Sequence, residues 1–446
     1  MSRQHWFADL ALVTASLGSG AAGLLVFRTA QVYHVGLLRQ VLFVGGLMFL
    51  GIVFLACLRL PLEFRVTLAM TLLSIAVAAY GAEAYIRELP RLRVRWAARR
   101  FGIPYDARSQ IEVVRDLRAE EKDAWPAAFP AWEGLPAEQE GLLPLGGIST
   151  ATTVFCNEMG QYVVYFSDEH GFHNPQGIWS SPRLDLAVLG DSFVQGACVP
   201  SEQNFVALLR AEHPATLNLG MVGNGPLLEL AGLREFLVDL KPGTVLWVFT
   251  EGNDVPFDLD REKGFPLLTA YLQPGHRQGL QGRQAEIDRL LRRLIDREYI
   301  ARQRATIAPE VPSRFLQLWS LRQALGLHVG DPGMNGALVD LSLFRRILQE
   351  AQVATQSWGG RFIFVYLPAE ARYFDAGYRR GYDRLREQVL GVLLDLRIPF
   401  IDLHPPIVRH PNIAELYAQR GKHFSPAGNR LVAETILGAL RSRAGN

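Results

Sequence analysis

Four short stretches carry side chains that together could open an ester: "GDS" at 190–192, "NLGMVGNG" at 218–225, "EGND" at 251–254 and "HFSPAGN" at 423–429. Ester cleavage needs a nucleophile with a base within hydrogen-bond reach. It also needs donors aimed at the oxyanion of the tetrahedral intermediate. Ser192 supplies a hydroxyl, and its own N–H can face that oxyanion if the chain turns there from strand to helix. Gly223 has no Cβ, so its N–H can approach closely. Asn253 offers a side-chain amide, and His423 an imidazole, the usual base near neutral pH.

These stretches work only if the fold brings them to one edge. From residue 184 apolar strand-like runs alternate with helical ones: "LDLAVL", "TLNLG", "TVLWVFT", "RFIFVYLP" and "PFIDL" are the strands. Such alternation predicts a five-stranded parallel sheet covered by helices on both faces, a three-layer α/β/α fold. Sites in such sheets lie at the carboxyl ends of the strands, where three of the stretches fall. The fourth precedes the last helix.

With those positions fixed, the sequence resembles the SGNH (GDSL-type) hydrolases, named for the Ser, Gly, Asn and His of their motif blocks. "GDSF" resembles the first block, "NLGMVG" the second, "GND" the third and "HFSPAGN" the last. The resemblance covers about residues 184–440. It implies a flavodoxin-like sheet, Ser192 as nucleophile, His423 as base, and an oxyanion hole from Ser192, Gly223 and Asn253. Two departures stand out. The family carries an Asp two or three residues before its His, where this chain has Arg420 and Gly421, so the orienting acid is unassigned. Glu251 stands where the third block has Gly, either holding the loop or facing substrate. Asp191 and Asp254 are expected in support, Asp191 as a loop brace. The G-x-S-x-G elbow is absent, Val194 occupying its second glycine.

Other candidates have plainer readings. His404 follows the last strand and is the reserve base. His170 and His173 in "HGFH" lack a third ligand and read as loop residues. "GSGAAG" at 18–23 has no preceding strand and suits close helix packing. No metal or cofactor is implied, and the basic residues lack the interleaved aromatics of a nucleic-acid surface.

The chain has 446 residues, 49% hydrophobic, and net charge +2. Its apolar excess lies in uncharged runs at 10–27, 41–58 and 66–82, each near the length needed to cross about 30 Å of hydrocarbon. Residues 1–88 therefore read as three transmembrane helices. Residues 89–183 read as a juxtamembrane connector with a β-hairpin turning at Gly160, and 184–446 as the hydrolase domain with a helical insertion at 255–338. Within the insertion Ile287, Leu290, Leu291 and Leu294 mark one helix face. Arginines 289, 292, 293 and 297 mark the other, a solvated surface or a basic one for an acidic glycan or lipid headgroups.

Cys57 lies in a predicted span. Cys156 and Cys198 are either one disulfide, implying an oxidising compartment, or two free buried thiols. Arginines after the third run favour a cytoplasmic flank or an interfacial helix. Family and cysteines favour a bacterial-type inner, or plasma, membrane with the hydrolase domain extracytoplasmic, in the periplasm. The expected activity is hydrolysis of acyl esters, O-acetyl foremost, on an envelope or extracellular polysaccharide, alongside the machinery that makes it. The alternatives are a polysaccharide O-acyltransferase with the same residues and an inactive glycan-binding module.

Overall fold

The computed structural model describes residues 3–32, 37–101, 105–128, 141–305, 315, 318–325, 339–374, 376–418 and 423–444. They fall into two compact units. One comprises Met1–Arg93 with Glu310–Asn335, the other Val94–Pro309 with Gly336–Asn446.

The first unit holds α1 (Arg3–Val32), α2 (Leu37–Cys57) and most of α3 (Leu62–Phe101), whose end from Val94 falls in the second unit. Among the described residues one stretch, Leu62–Ile86 of α3, is long and apolar enough to cross a membrane, and Val44–Cys57 of α2 is apolar but shorter. The expectation of three spans is therefore met at one helix. Parts of the apolar runs in α1 and α2 carry side chains outside the described set. Ile75 and Val77 of α3 are exposed, as suits a lipid-facing surface. Glu83, buried on α3, accepts the backbone N–H groups of Ser320 (3.0 Å) and Leu321 (2.7 Å). Part of the long insertion thus caps the helical unit.

The second unit begins with α4 (Gln110–Ala119), opened by a reciprocal Ser109–Glu112 capping box. A small sheet follows, with β1 (Ala124–Pro126) parallel to β2 (Thr152–Val154), and β2 antiparallel to β3 (Val164–Phe166). The β2–β3 hairpin turns at Gly160, φ +95°, as expected. β1 was not expected: three residues ending in proline give too short a period to read. Most of the connector, from Val94, falls in the same unit as the main sheet.

The main sheet is built from β4 (Leu186–Leu189), β5 (Thr216–Asn218), β6 (Thr244–Thr250), β7 (Arg361–Leu367) and β8 (Phe400–Asp402). Its order is β5-β4-β6-β7-β8, every pair parallel, with Val188 beside both Asn218 and Leu246. Each residue of β6 is buried, because helices cover both faces. Ala187, Leu189, Val245, Trp247 and Phe249 join one core. Leu186, Val188, Leu246 and Val248 join the other. This is the two-residue side-chain period of a strand.

Short helices α5 (Ser192–Gln195) and α6 (Phe205–Leu209) follow β4, and α7 (Pro226–Gly232) follows β5. After β6 a wide helical turn (Asp254–Asp258) leads into α8 (Leu259–Glu262). The insertion helix is α9 (Gln284–Ala305), and α10 (Ser342–Ser357), α11 (Ala376–Asp395) and α12 (Pro426–Ala444) complete the layers. α7, α10 and α11 pack on the first face, with Leu228, Ile347 and Leu385. α6 and α12 pack on the second, with Phe205, Val432 and Ile436.

α9 seats Ile287, Leu290, Leu291 and Leu294 in the first core, as its spacing requires. Its arginine face is partly recruited: Arg292 forks onto Asp123 (2.8 and 2.7 Å) and stacks over Trp125.

Candidate active site

Gly190 and Asp191 follow β4, and Ser192 is the first residue of α5. Asp191 caps that helix, its Oδ1 accepting the Phe193 N–H at 2.9 Å. The hydroxyl of Ser192 therefore sits at the strand-to-helix turn, on the carboxyl edge of the sheet. Gly220 makes the turn possible from the neighbouring strand. A Cβ there would lie 2.4 Å from the Gln195 nitrogen and 2.5 Å from the Val194 Cβ.

His423 arrives from the other end of the chain. An isolated bridge between Tyr417 and Phe424 and the Ala418 N–H donating to the His423 carbonyl (2.8 Å) fix its loop just before α12. The Phe193 ring lies 4.9 Å from the imidazole, centroid to centroid. Nε2 of His423 is 2.8 Å from Ser192 Oγ.

The opposite nitrogen meets a carboxylate from the small hairpin. His423 Nδ1 is 2.8 Å from Glu158 Oε1, and the His423 backbone N–H donates to Oε2 at 3.3 Å. With the Nδ1 proton donated to Glu158, Nε2 is left to accept from Ser192 O–H. Ser192, His423 and Glu158 form one hydrogen-bonded relay.

Sequence reasoning missed Glu158 because it looked beside the histidine, whereas the acid lies 265 residues away. The available signal was the cysteine pair. Cys156 and Cys198 are joined in a disulfide, Cα–Cα 5.1 Å, two residues from Glu158 and six from Ser192. Arg420 and Gly421, where the family acid would stand, lie outside the described residues.

Gly223 adopts φ +77° in the loop after β5, a conformation that favours glycine. That loop is tied to α5: Val222 N–H donates to Gln195 Oε1 (2.7 Å) and Met221 N–H to the Gly190 carbonyl (3.2 Å). Among the described residues neither the Ser192 nor the Gly223 N–H meets a protein acceptor.

Asn253 is placed otherwise than expected. Its amide nitrogen donates to Asp191 Oδ2 (3.0 Å) and Asp258 Oδ2 (2.8 Å). Its two hydrogens thus serve carboxylates and hold the loop to the Ser192 turn.

Those carboxylates belong to a buried acidic group under the site: Asp191, Glu229, Asp254, Asp258 and Glu262. Burial raises all five, Asp258 to about 7 and Glu262 to about 8. Glu262 binds the Gly225 and Leu227 N–H groups at the start of α7 (2.7 and 2.8 Å). Asp254 Oδ2 accepts the Thr250 N–H (2.8 Å). Arg261 pairs with Asp258 (3.0 Å) and donates to the Gly223 carbonyl (2.8 Å).

Glu251 does not face a substrate. It is buried, accepts from Ala369 N–H (3.0 Å), Arg372 Nε (2.9 Å) and the Tyr366 hydroxyl, and ties the end of β6 to the chain after β7. His404 is bonded through Nδ1 to the Tyr373 hydroxyl (2.9 Å) and is not part of the relay.

His170 packs on Trp179 and Phe236. His173 is buried between the Gln195 carbonyl and Ser201 Oγ, both 2.8 Å away, and burial pushes it down to about 4. Among the described residues Glu158, Cys198 and His423 converge with ligand-type atoms, but the Cys198 sulfur is spent in the disulfide.

No family model matches this chain, and no curated protein does. Solved structures do. A lipase/acylhydrolase from Enterococcus faecalis is 14% identical at TM-score 0.34, covering 58% of this chain and 96% of that one. A GDSL-like lipase from Bacteroides thetaiotaomicron is 10% identical at TM-score 0.33, covering 58% and 88%. A catalytic mutant of an acetylxylan esterase from Geobacillus stearothermophilus is 14% identical at TM-score 0.31, covering 56% and 91%. At such identities and scores the likeness carries no functional argument.

Proposed function

We propose that this chain is a membrane-anchored serine esterase of the SGNH type that removes acyl groups, O-acetyl foremost, from an envelope or extracellular polysaccharide. The observation that carries this reading is the relay: Ser192 Oγ to His423 Nε2 and His423 Nδ1 to Glu158, each 2.8 Å.

In this reading Ser192 attacks the ester carbonyl while His423 takes its proton. Glu158 keeps Nδ1 protonated and offsets the imidazolium charge that forms. The oxyanion meets the N–H groups of Ser192 and Gly223. Asn253 joins them when its amide exchanges a carboxylate for the developing alkoxide. His423 then gives that proton to the sugar oxygen as its bond to the acyl carbon breaks, so the sugar leaves as a hydroxyl. A water molecule, deprotonated by His423, releases the acid and restores Ser192.

Glu158 also removes the support for an inactive glycan-binding module, which rested on a missing orienting acid. Acyl transfer would use the same residues with a sugar hydroxyl in place of water.

The disulfide supports an oxidising compartment for the catalytic unit, and the Leu62–Ile86 helix supports membrane anchoring. A multi-pass inner-membrane arrangement with this unit in the periplasm is the topology we propose.

The test is turnover of p-nitrophenyl acetate and acetylated polysaccharide by wild type and Ser192→Ala. Acetate release that vanishes in the variant supports the esterase, and equal rates overturn it. Adding a glycan acceptor separates transfer, which diverts the acetyl group, from hydrolysis, which does not.

A further inference from the structure

We propose that the Cys156–Cys198 disulfide holds Glu158 on His423, so that the relay is complete only when this bridge is closed. The proposal rests on the esterase reading above and assigns Glu158 as a positioning residue whose place is set covalently from the nucleophile's own loop.

The chain around Glu158 is a short turn between β2 and β3. Its base is closed by Phe155 N–H to the Val163 carbonyl (2.8 Å) and Val163 N–H to the Cys156 carbonyl (3.0 Å). Beyond that base it is bonded outward to Asp106: Asn157 Nδ2 donates to the Asp106 carbonyl (3.0 Å), and the Gly160 carbonyl accepts the Asp106 N–H (2.7 Å). Neither contact reaches Ser192 or His423.

Phe155, Cys156 and Val163 at the base of the turn share a small core with Ala197, Cys198 and Val222. Beyond that packing, two ties among the described residues join this turn to the catalytic side. One is Glu158 to His423 itself, with side chains 18% and 23% exposed. A single partly exposed side-chain contact constrains a turn less than a covalent bridge does. The other is the disulfide. Cys198 is buried in the loop that follows α5, and α5 begins at Ser192. A bridge between these two loops removes most of the freedom that would let the acid turn drift from the imidazole.

Deeper contacts place the rest of the hairpin without it. Gln195 Nε2 donates to the Tyr165 hydroxyl (2.9 Å), and the Tyr165 ring stacks on His173. Opening the bridge is therefore expected to free the acid turn while leaving β3 and the sheet in place.

The experiment uses the full chain purified in detergent. Dithiothreitol converts the bridge to two thiols and is itself oxidised to its cyclic disulfide. Hydrolysis of p-nitrophenyl acetate is measured before reduction, after it, and after reoxidation, for wild type and Glu158→Gln. Thiol counting by maleimide mass shift records the state of the bridge.

Reduction is expected to lower kcat of wild type about tenfold to a hundredfold, with KM little changed and full recovery on reoxidation. Glu158→Gln, already slow, is expected to lose less than about twofold more on reduction. Two results overturn the proposal. Reduced wild type could keep its oxidised rate, or reduction could slow Glu158→Gln by the same factor as wild type, which would mean that the bridge acts on folding and not through the acid. Ser192-dependent turnover that ignores reductant removes this proposal alone. Absence of Ser192-dependent turnover in the oxidised protein removes the esterase reading as well.

Discussion

Asn253 is the residue whose setting says most about how this site would work. Its amide is clamped between Asp191 and Asp258, so the donor is positioned at rest by the groups it must leave to serve an oxyanion. Exchanging a carboxylate for a developing alkoxide preserves a charge-assisted hydrogen bond. Asn253→Ala is therefore expected to lower kcat by about a hundredfold to a thousandfold with a smaller change in KM, in steady-state hydrolysis of p-nitrophenyl acetate. Asn253 could be picked out from the sequence by its place after a buried strand. Of its two carboxylate partners, Asp191 was readable as a loop brace, but Asp258 was not. Asp258 lies in the turn that opens an insertion, and one strand does not reveal which loop folds beneath its neighbour. Glu158 was hidden for the same reason: its partnership with the imidazole is a matter of distance in space, not of place in the chain.

At the level of elements, the turn carrying Ser192 depends on how closely the loop after β5 approaches α5. At Gly220 a methyl group would meet the Gln195 nitrogen and Val194, neither of which can give way without moving Ser192. Gly220→Ala is expected to destabilise the second unit by about 1–3 kcal/mol or more and to lower any Ser192-dependent turnover. A thermal melt and a rate assay on the same preparation check this. The parallel sheet was readable because its strands are continuous apolar runs separated by amphipathic helices, a pattern that a doubly covered sheet imposes. The small sheet was half readable. β2 and β3 flank a glycine turn, but β1 acquires its extended form by pairing with β2, and three residues carry no period of their own.

For the molecule as a whole, the buried acids set the pH dependence of stability. Asp258 and Glu262 have folded-state values raised to about 7 and about 8. Between their ordinary carboxylate range and those values the folded chain holds more protons than the unfolded one. Stability is thus fully present below that range and is lost as pH rises, by about 1.4 kcal/mol per pH unit for each group within its window. Urea unfolding of the full chain in detergent is expected to give a lower midpoint at pH 8 than at pH 5.5, and Glu262→Gln to flatten the trend. The first unit is tested separately. Its exposed apolar helix predicts that the full chain stays in the membrane pellet after an alkaline carbonate wash. The apolar runs were plain in the sequence. Counting spans was less secure, because hydropathy measures whether a helix can enter lipid, not whether it does.

His423 lies 231 residues after Ser192 and 265 after Glu158. Translation therefore delivers the imidazole long after the Ser192 hydroxyl and the Glu158 carboxylate. While it is still being made, the polypeptide can bury most of its sheet and still be chemically silent. The relay would close only when the Asn429 side chain of α12 accepts the Phe205 amide (3.0 Å) and that helix docks. A nascent chain that has not yet reached His423 would therefore hold its serine and its acid without the group that links them.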